Sequence, residues 1–427
     1  MHNPTPRRVG VVAALRTPFA RSNGAYLDLG NKDLLAHCLR ALVQRCGLAG
    51  VQLGEVVGGA ITSHSRDWNL AREALLSSEL SATTPAVTLQ QACGTSLKAA
   101  IDLAARIAGG EIDSGIACGV DTTSDVPLVL SERLRKRLLA LSRARSVGER
   151  LAAIKGFSLG ELKPVAPSSS EPRTGLSMGE HCELMAREWG VSREAQDALA
   201  LASHQKAAAA YEEGFFDPLL EPCAGLLRDN NLRPDASLER LATLEPAFAR
   251  DGKGTLTAGN STPLTDGAAA VLLASEDWAA EHGLPVLAYL SHARTAAVDF
   301  VGGEGLLLAP TVAIAELLAR ARLNLQDFDF YEIHEAFAAQ VLCTLEAWRS
   351  ERYCRERLGL DAVLGEIDPA RINVKGSSLA VGHPFAATGA RILGTLAEVL
   401  RQRGSGRGLI SICTAGGMGV AAVLERP

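Results

Sequence analysis

The sequence predicts an α/β protein made of two copies of one strand-and-helix unit, with a segment of different character inserted in the first copy. Three observations lead there. Short apolar runs of strand length alternate with longer runs in which apolar residues recur at helical spacing. That alternation breaks off near residue 124 and resumes near 254. From about residue 281 the same order of elements begins again, the mark of an internal duplication.

In chain order, residues 9–14 read as a buried strand, and 34–46 as a helix with Leu35, Cys38, Leu39 and Leu42 on one face. Residues 55–61 read as the next strand. Residues 85–89 are extended and run into Cys93; 97–107 are then helical, and Gly109-Gly110 ends the helix. Residues 114–121 form a strand of small residues. Between 124 and 253 the chain carries a basic run, a Ser/Pro-rich loop at 164–172, helices at 178–189 and 193–214, and Pro222, Pro234 and Pro246. This reads as an excursion with its own helices. Residues 254–260 are expected to be extended, and 268–273 a short buried strand. The second copy runs as strand 284–290, helix 311–322, strand 328–333, a small-residue segment 373–381, helix 390–403 closed by Gly404, and strand 408–413 ending in Gly416-Gly417. The implied division is an N-terminal half (1–123 with 254–280), an inserted loop domain (124–253) and a C-terminal half (281–427).

A chain of 427 residues with 47% hydrophobic and 21% charged residues is globular, and a net charge of −5 gives no reason to expect nucleic-acid binding. The nine cysteines are odd in number and include no C-x-x-C pair, so neither a disulfide framework nor a zinc site is indicated. Free thiols fit a reducing compartment. The start, Met1 to Arg8, is short and polar, and no apolar run is long enough to span a membrane. A cytoplasmic location is expected.

Four stretches carry chemistry. In Gln90-Gln91-Ala92-Cys93-Gly94-Thr95-Ser96, Cys93 stands at a strand-to-helix junction, where unpaired N–H groups favour a thiolate and small neighbours admit a substrate. The competing reading is a buried cysteine acting as a small apolar residue. In Gly382-His383-Pro384 the flanking residues fix a turn and limit the ring, so that a neutral imidazole can exchange a proton with Cys93. In Cys413-Thr414-Ala415-Gly416-Gly417 a second cysteine ends a buried strand beside a turn whose N–H groups can face a developing negative charge. In His334-Glu335-Ala336-Phe337 the fourth position after His334 is Ala338, so this is not a zinc motif. Holding a water molecule is a role open to His334.

These stretches, with Gly254-Thr255-Leu256-Thr257-Ala258-Gly259-Asn260-Ser261-Thr262-Pro263-Leu264-Thr265-Asp266-Gly267-Ala268, make the chain resemble the thiolase superfamily over nearly its whole length. Within it the chain is similar to the thiolase subunits of bacterial fatty-acid-oxidation complexes, by His334 in place of the more usual Asn and by the run Asp229-Asn230-Asn231-Leu232-Arg233. The resemblance implies the five-layered αβαβα thiolase fold. It implies an acyltransferase that cleaves 3-ketoacyl-CoA with CoA through an acyl-cysteine, with CoA as a substrate, no cofactor and no metal. It further implies a homodimer or tetramer and a hydratase/dehydrogenase partner subunit.

By the same resemblance Cys93 is the nucleophile, His383 activates it, and Cys413 is the acid/base. His334 serves one oxyanion hole, and the backbone N–H groups of Cys93 and Ala415 form the other. Met178, Ala258, Ser261, Thr262 and Phe337 are the expected lining of the CoA and acyl site. Ser377, where a second Gly is common, and His181-Cys182, where Thr-Ala is usual, are departures that bear on substrate preference.

Three rival readings remain: a decarboxylating ketoacyl synthase, whose sites are Cys-His-His where this chain has Cys413; an acetoacetyl-CoA-forming acetyltransferase; and a non-catalytic CoA- or lipid-binding relative. The stretch 131–163 is expected to be helical and exposed. Its basic residues, among them Arg133, Lys136 and Arg137, far outnumber Glu132, Glu149 and Glu161. It is either a solvated face or a docking surface for an anionic membrane or an acidic partner.

Overall fold

Described in the computed structural model are residues 6–249 and 251–427; Met1 to Thr5, most of the polar start, and Arg250 lie outside the described residues. The first half holds β1 (Val9–Arg16), β2 (Ala20–Arg21), α1 (Asn31–Arg45), β3 (Glu55–Gly59), α2 (Leu70–Leu76), β4 (Ala86–Thr88), α3 (Thr95–Ala108) and β5 (Ser114–Asp121). The excursion carries α4 (Glu132–Arg143), α5 (Val147–Ile154), α6 (Met178–Glu188), α7 (Arg193–Glu212) and α8 (Leu238–Ala242). Strand β6 (Thr265–Ser275) returns to the sheet, and α9 (Glu276–Glu281) leads into the second half. That half contains β7 (Ala288–Ala297), α10 (Ala309–Ala321), β8 (Phe330–Ile333), α11 (Ala338–Arg349), α12 (Glu351–Glu356), α13 (Ser378–Val381), α14 (Thr388–Arg403), β9 (Gly406–Thr414) and β10 (Met418–Arg426).

The strand order is β4-β3-β5-β6-β1-β7-β10-β9-β8, with β2 beside β6. Outward from the middle, β1-β6-β5-β3 on one side matches β7-β10-β9-β8 on the other. Each series is antiparallel, antiparallel, then parallel. The duplication expected from the order of elements is therefore present in the sheet. Among the described residues, the strands of the two halves pair through Gly10–Tyr289 and Val11–Ala288 alone.

Alternation along the strands builds the layers, because successive side chains point to opposite faces. Val11, Ile410 and Ala422 enter a central core with Leu97 and Leu103 of α3 and Leu393 and Leu396 of α14. Val12 and Leu15 face Leu35 and Leu39 of α1. Leu409, Ala421 and Val423 face Ile314 and Leu317 of α10. The result is five layers: α1 and α2, the first half-sheet, α3 with α14, the second half-sheet, and α10. Each fully buried leucine contributes about 2 kcal/mol. The central helices touch through Gly389, where any Cβ would overlap the backbone of Leu97.

Several elements differ from expectation. β7 starts at Ala288 and runs to Ala297. The apolar signal ends early because Ser291 onward is only partly covered, although the ladder to β10 continues. β10 was not foreseen as a separate strand after the glycine turn. Residues 254–260 form no strand: Thr257 makes an isolated antiparallel bridge to Pro246, and residues 258–260 bend so that Asn260 accepts from the Thr257 N–H at 2.7 Å and donates to Asp197 at 2.9 Å. The basic stretch, by contrast, is helical as expected and forms a hairpin of two helices, α4 and α5, with the break at residues 144–146. Among the described residues no helix is long and apolar enough to cross a membrane.

Candidate active site

Chain geometry at Cys93 is set by its neighbours. Ala92 is left-handed, with φ +46°, which makes the sharp turn out of β4. Thr95 secures that turn: its hydroxyl donates to the Ala92 carbonyl at 2.8 Å and accepts from the Gln91 N–H at 2.9 Å. Gly94 lets the turn press on β9 and β10, since a Cβ would lie 2.8 Å from Val420 and 3.0 Å from Thr414. Cys93 thus sits in a 3₁₀ turn, Ala92–Gly94, directly before α3.

The second half delivers His383 to the same point. Gly382 has φ +105° and faces Thr265, whose hydroxyl accepts from the His383 N–H at 2.8 Å. The ring is held between Thr388 Oγ1, 2.6 Å from Nδ1, and Cys93 Sγ, 3.2 Å from Nε2. Two links tie this loop to the first half. Ser96 Oγ donates to the Ala386 carbonyl at 2.5 Å and accepts from the Ala390 N–H at 2.8 Å. Asp121, at the end of β5, accepts from the Ala386 N–H at 2.9 Å and from Thr62.

His334 completes the cluster. It follows β8, is fully buried, and has its ring centroid 4.2 Å from that of His383. Its Nδ1 lies 2.9 Å from Ser378 Oγ, which accepts from Arg391 Nη2 at 2.6 Å. A hydroxyl that accepts from a guanidinium is free to donate onward to Nδ1, which leaves His334 Nε2 as the N–H. That Nε2 has no hydrogen-bond partner among the described residues. Cys413, in β9, is buried in a cluster with Phe337, Cys182 and, at its edge, Met178. Ala415 follows β9, and its N–H, like that of Cys93, favours the anion of the Cys93 sulfur.

Electrostatics overturn one expectation. A helix terminus favours a thiolate, but burial pushes the Cys93 thiol up to about 12, and the two N–H groups offset this only in part. Burial, with the Arg391 charge second, pushes His383 down to about 3. The resting pair is a neutral thiol donating to a neutral imidazole. Burial also drives Cys413 well above, and His334 well below, the usual range.

A cavity of about 500 Å³ is lined by Ala258, Ser261 and Leu379 and by three arginines, Arg21, Arg233 and Arg240; Leu379 is the chain neighbour of Ser378, whose hydroxyl holds His334. Ser261 is buried and its hydroxyl has no partner. Thr262 is turned instead to the Ala336 carbonyl, which accepts from its N–H and hydroxyl at 3.1 Å. The arginines were missed because they are scattered over more than 200 positions and share no motif. A larger cavity, about 880 Å³, lies at Arg7, Tyr289 and Arg426 and contains none of these residues.

Ser377 is buried and accepts from Arg391 Nη1 at 3.1 Å, behind His334 rather than on the cavity wall. Asp229 proves structural: it pairs with Arg16 at 2.6 Å and accepts from Tyr211.

Comparison with known proteins agrees with this arrangement. The family model for the thiolase N-terminal domain matches residues 9–277, and that for the C-terminal domain matches 284–426. The 3-ketoacyl-CoA thiolases of Yersinia pestis (strain Pestoides F) and Yersinia pseudotuberculosis serotype O:1b are each 41% identical over 98% of this chain and 97% of their own. Two solved structures superpose with a TM-score of 0.81 at 30% identity over 99% of this chain. They are the Bacillus anthracis acetyl-CoA acetyltransferase, covered over 99% of its length, and the human mitochondrial 3-ketoacyl-CoA thiolase in complex with CoA, covered over 98%. With a duplicated five-layered fold, a paired cysteine and histidine at its centre and both domain models matched in order, the chain belongs to the thiolase family and is an acyltransferase.

Proposed function

We propose that this acyltransferase cleaves 3-ketoacyl-CoA with CoA, giving acetyl-CoA and a shortened acyl-CoA, in fatty-acid β-oxidation. The observation that carries the reading is the approach of Cys93 Sγ to His383 Nε2 at 3.2 Å, across the two halves of the fold. The Sγ–H proton passes to His383 as sulfur bonds to the 3-keto carbon. The bond between C2 and C3 then breaks, and the acetyl-CoA enolate takes the Cys413 proton. In the second half-reaction Cys413 removes the proton of incoming CoA, whose sulfur displaces Cys93 from the acyl group; Cys93 regains its proton from His383. The free Nε2–H of His334 faces the thioester or ketone oxygen, and the N–H groups of Cys93 and Ala415 face the other oxygen.

Arg21, Arg233 and Arg240 suit the CoA phosphates and the free Ser261 hydroxyl suits the pantetheine amides. Met178, Ala258, Thr262 and Phe337 lie along the acyl path. No cofactor takes part. The protein works in the cytoplasm, as N-terminal half 1–123 with 254–280, loop domain 124–253 and C-terminal half 281–427.

Assembly belongs to the same reading. β4 is an edge strand with Val87 43% exposed, so a second copy can pair along it to give a homodimer or a tetramer of two such pairs. Leu138, Leu139, Val147, Leu151 and Ile154 are exposed among the basic residues of the α4–α5 hairpin, which suits peripheral contact with an anionic membrane. A hydratase/dehydrogenase subunit is the expected enzymatic partner.

The test is acylation followed by intact mass. Cys93→Ala should take up no acyl group from a 3-ketoacyl-CoA. Cys413→Ala should acylate but not turn over. Uptake by Cys93→Ala would overturn the nucleophile, and full turnover by Cys413→Ala would remove that residue from the mechanism. Thiolysis rates over esters of increasing length separate this reading from an enzyme confined to acetoacetyl-CoA.

A further inference from the structure

We propose that the face formed by Cys93, His383 and His334 is also a binding site for a thiophilic divalent cation, Zn²⁺ in the first instance, and that the ion, once seated there, reversibly blocks the nucleophile. One donor atom from each of the three residues lies within 4.8 Å of the others. A tetrahedral zinc with one sulfur and two nitrogens has a nitrogen–nitrogen edge of roughly 3.3–3.4 Å and sulfur–nitrogen edges of roughly 3.5–3.6 Å, from bond lengths of about 2.3 and 2.0–2.1 Å. The Cys93–His383 edge is 3.2 Å, so seating an ion widens it by a few tenths of an ångström and draws in His334, whose donor starts within 4.8 Å of the other two.

His334 is the decisive residue. It is fully buried, and its Nε2 is left without a partner. Each imidazole is steadied from behind by a hydroxyl, Thr388 on His383 and Ser378 on His334, with the other ring nitrogen forward. Outer-shell partners of this kind fix the rings of metal ligands. Ser378 Oγ has two lone pairs, so it can accept from Arg391 and from His334 Nδ1–H together, which frees Nε2 to ligate.

The donor set, one thiolate and two imidazoles without a carboxylate, selects zinc-like ions over Mg²⁺ and Ca²⁺. Cys93 coordinates as the thiolate and its proton goes to the solvent; water or an incoming thiol takes the fourth position. The positive charge of Arg391 opposes the ion, and Glu332, pushed up to about 8 by burial, is protonated near neutral pH and does not offset it. Sequence spacing gives no hint of this site, since its ligands are 241 and 49 positions apart along the chain.

Competition between the reduced full-length protein and a chromophoric zinc chelator tests the proposal, together with the near-ultraviolet spectrum of the Co²⁺-loaded protein. The wild type should bind one ion and show a thiolate-to-Co²⁺ charge-transfer band. Cys93→Ser should lose the band. Cys93→Ser, His334→Asn and His383→Asn should each weaken Zn²⁺ by at least about 100-fold, the upper range seen for losing an outer-shell partner alone. Circular dichroism identifies any variant that does not fold, and the near-isosteric Cys93→Ser then carries the comparison. Cys413→Ala should keep the band. Undiminished binding in both Cys93→Ser and His334→Asn, a band that depends on Cys413 but not on His334, or no binding by the wild type at micromolar Zn²⁺ would each overturn the site.

Discussion

At the scale of single residues, burial outweighs the helix terminus at Cys93. Removing a sulfur from water penalises its anion, and the N–H groups of Ala415 and Cys93 recover only part of that cost. The proton therefore leaves Cys93 when bond formation begins, not before. This has a consequence for pH. A thiol pushed up to about 12 is protonated across the neutral range, and its thiolate fraction grows as pH rises. Alkylation of Cys93 by iodoacetamide should therefore accelerate about tenfold per pH unit between about pH 7 and 10. Peptide mapping of the modified protein gives the rate. A rate that is already flat near pH 7 would mean that a thiolate–imidazolium pair exists at rest.

At the scale of elements, the site depends on how closely β5 meets the loop after His383. Gly119 of β5 lies directly against the Ala386 carbonyl, and a Cβ there would overlap it. That carbonyl also accepts from Ser96 at the start of α3, so the glycine sets the distance between the nucleophile's helix and the histidine loop. Gly119→Ala should cost about 1–3 kcal/mol in stability, as overpacking does. Displacing the imidazole by a fraction of an ångström should also lower kcat, by up to about 100-fold. Thermal unfolding and steady-state kinetics read the two effects. A variant of normal kcat would show that the loop accommodates the methyl without moving His383.

At the scale of the whole molecule, two surfaces remain after the site is accounted for. One is the β4 edge. Val87→Lys should block strand pairing and shift light scattering toward monomer; an unchanged dimer would place the interface elsewhere. The other is the α4–α5 hairpin, where the geometry corrects which charges are free. Arg133 and Lys136 are exposed, Lys136 beside Glu132 at 3.2 Å, but Arg137 is the pin of the hairpin. It donates to Glu161 at 2.6 Å and to the carbonyls of Ala153, Lys155 and Gly156. Charge reversal at Arg137 would unfold the hairpin. Reversal at Arg133 and Lys136 alone should weaken binding to anionic vesicles in a salt-dependent way and leave thiolysis by the isolated subunit intact. Equal vesicle binding at low salt would make the hairpin purely structural.

Periodicity and order were legible in the sequence: alternating strands and helices, their restart after the excursion, and Cys93, His383 and Cys413 each at the end of an element. These are local properties, written in the spacing of apolar residues and in the glycines that flank a turn. The trailing half of β7, the separate β10 and the bend at Asn260 were not legible, because neighbours rather than local pattern hold them. The protonation state of Cys93 was decided by tertiary structure alone: desolvation depends on everything packed around the sulfur, and a helix terminus is visible locally while burial is not. The same holds for the Arg391–Ser378–His334 chain, the arginines of the cavity and the role of Arg137. Each joins residues far apart in sequence, and only folding sets the distances that give them their chemistry.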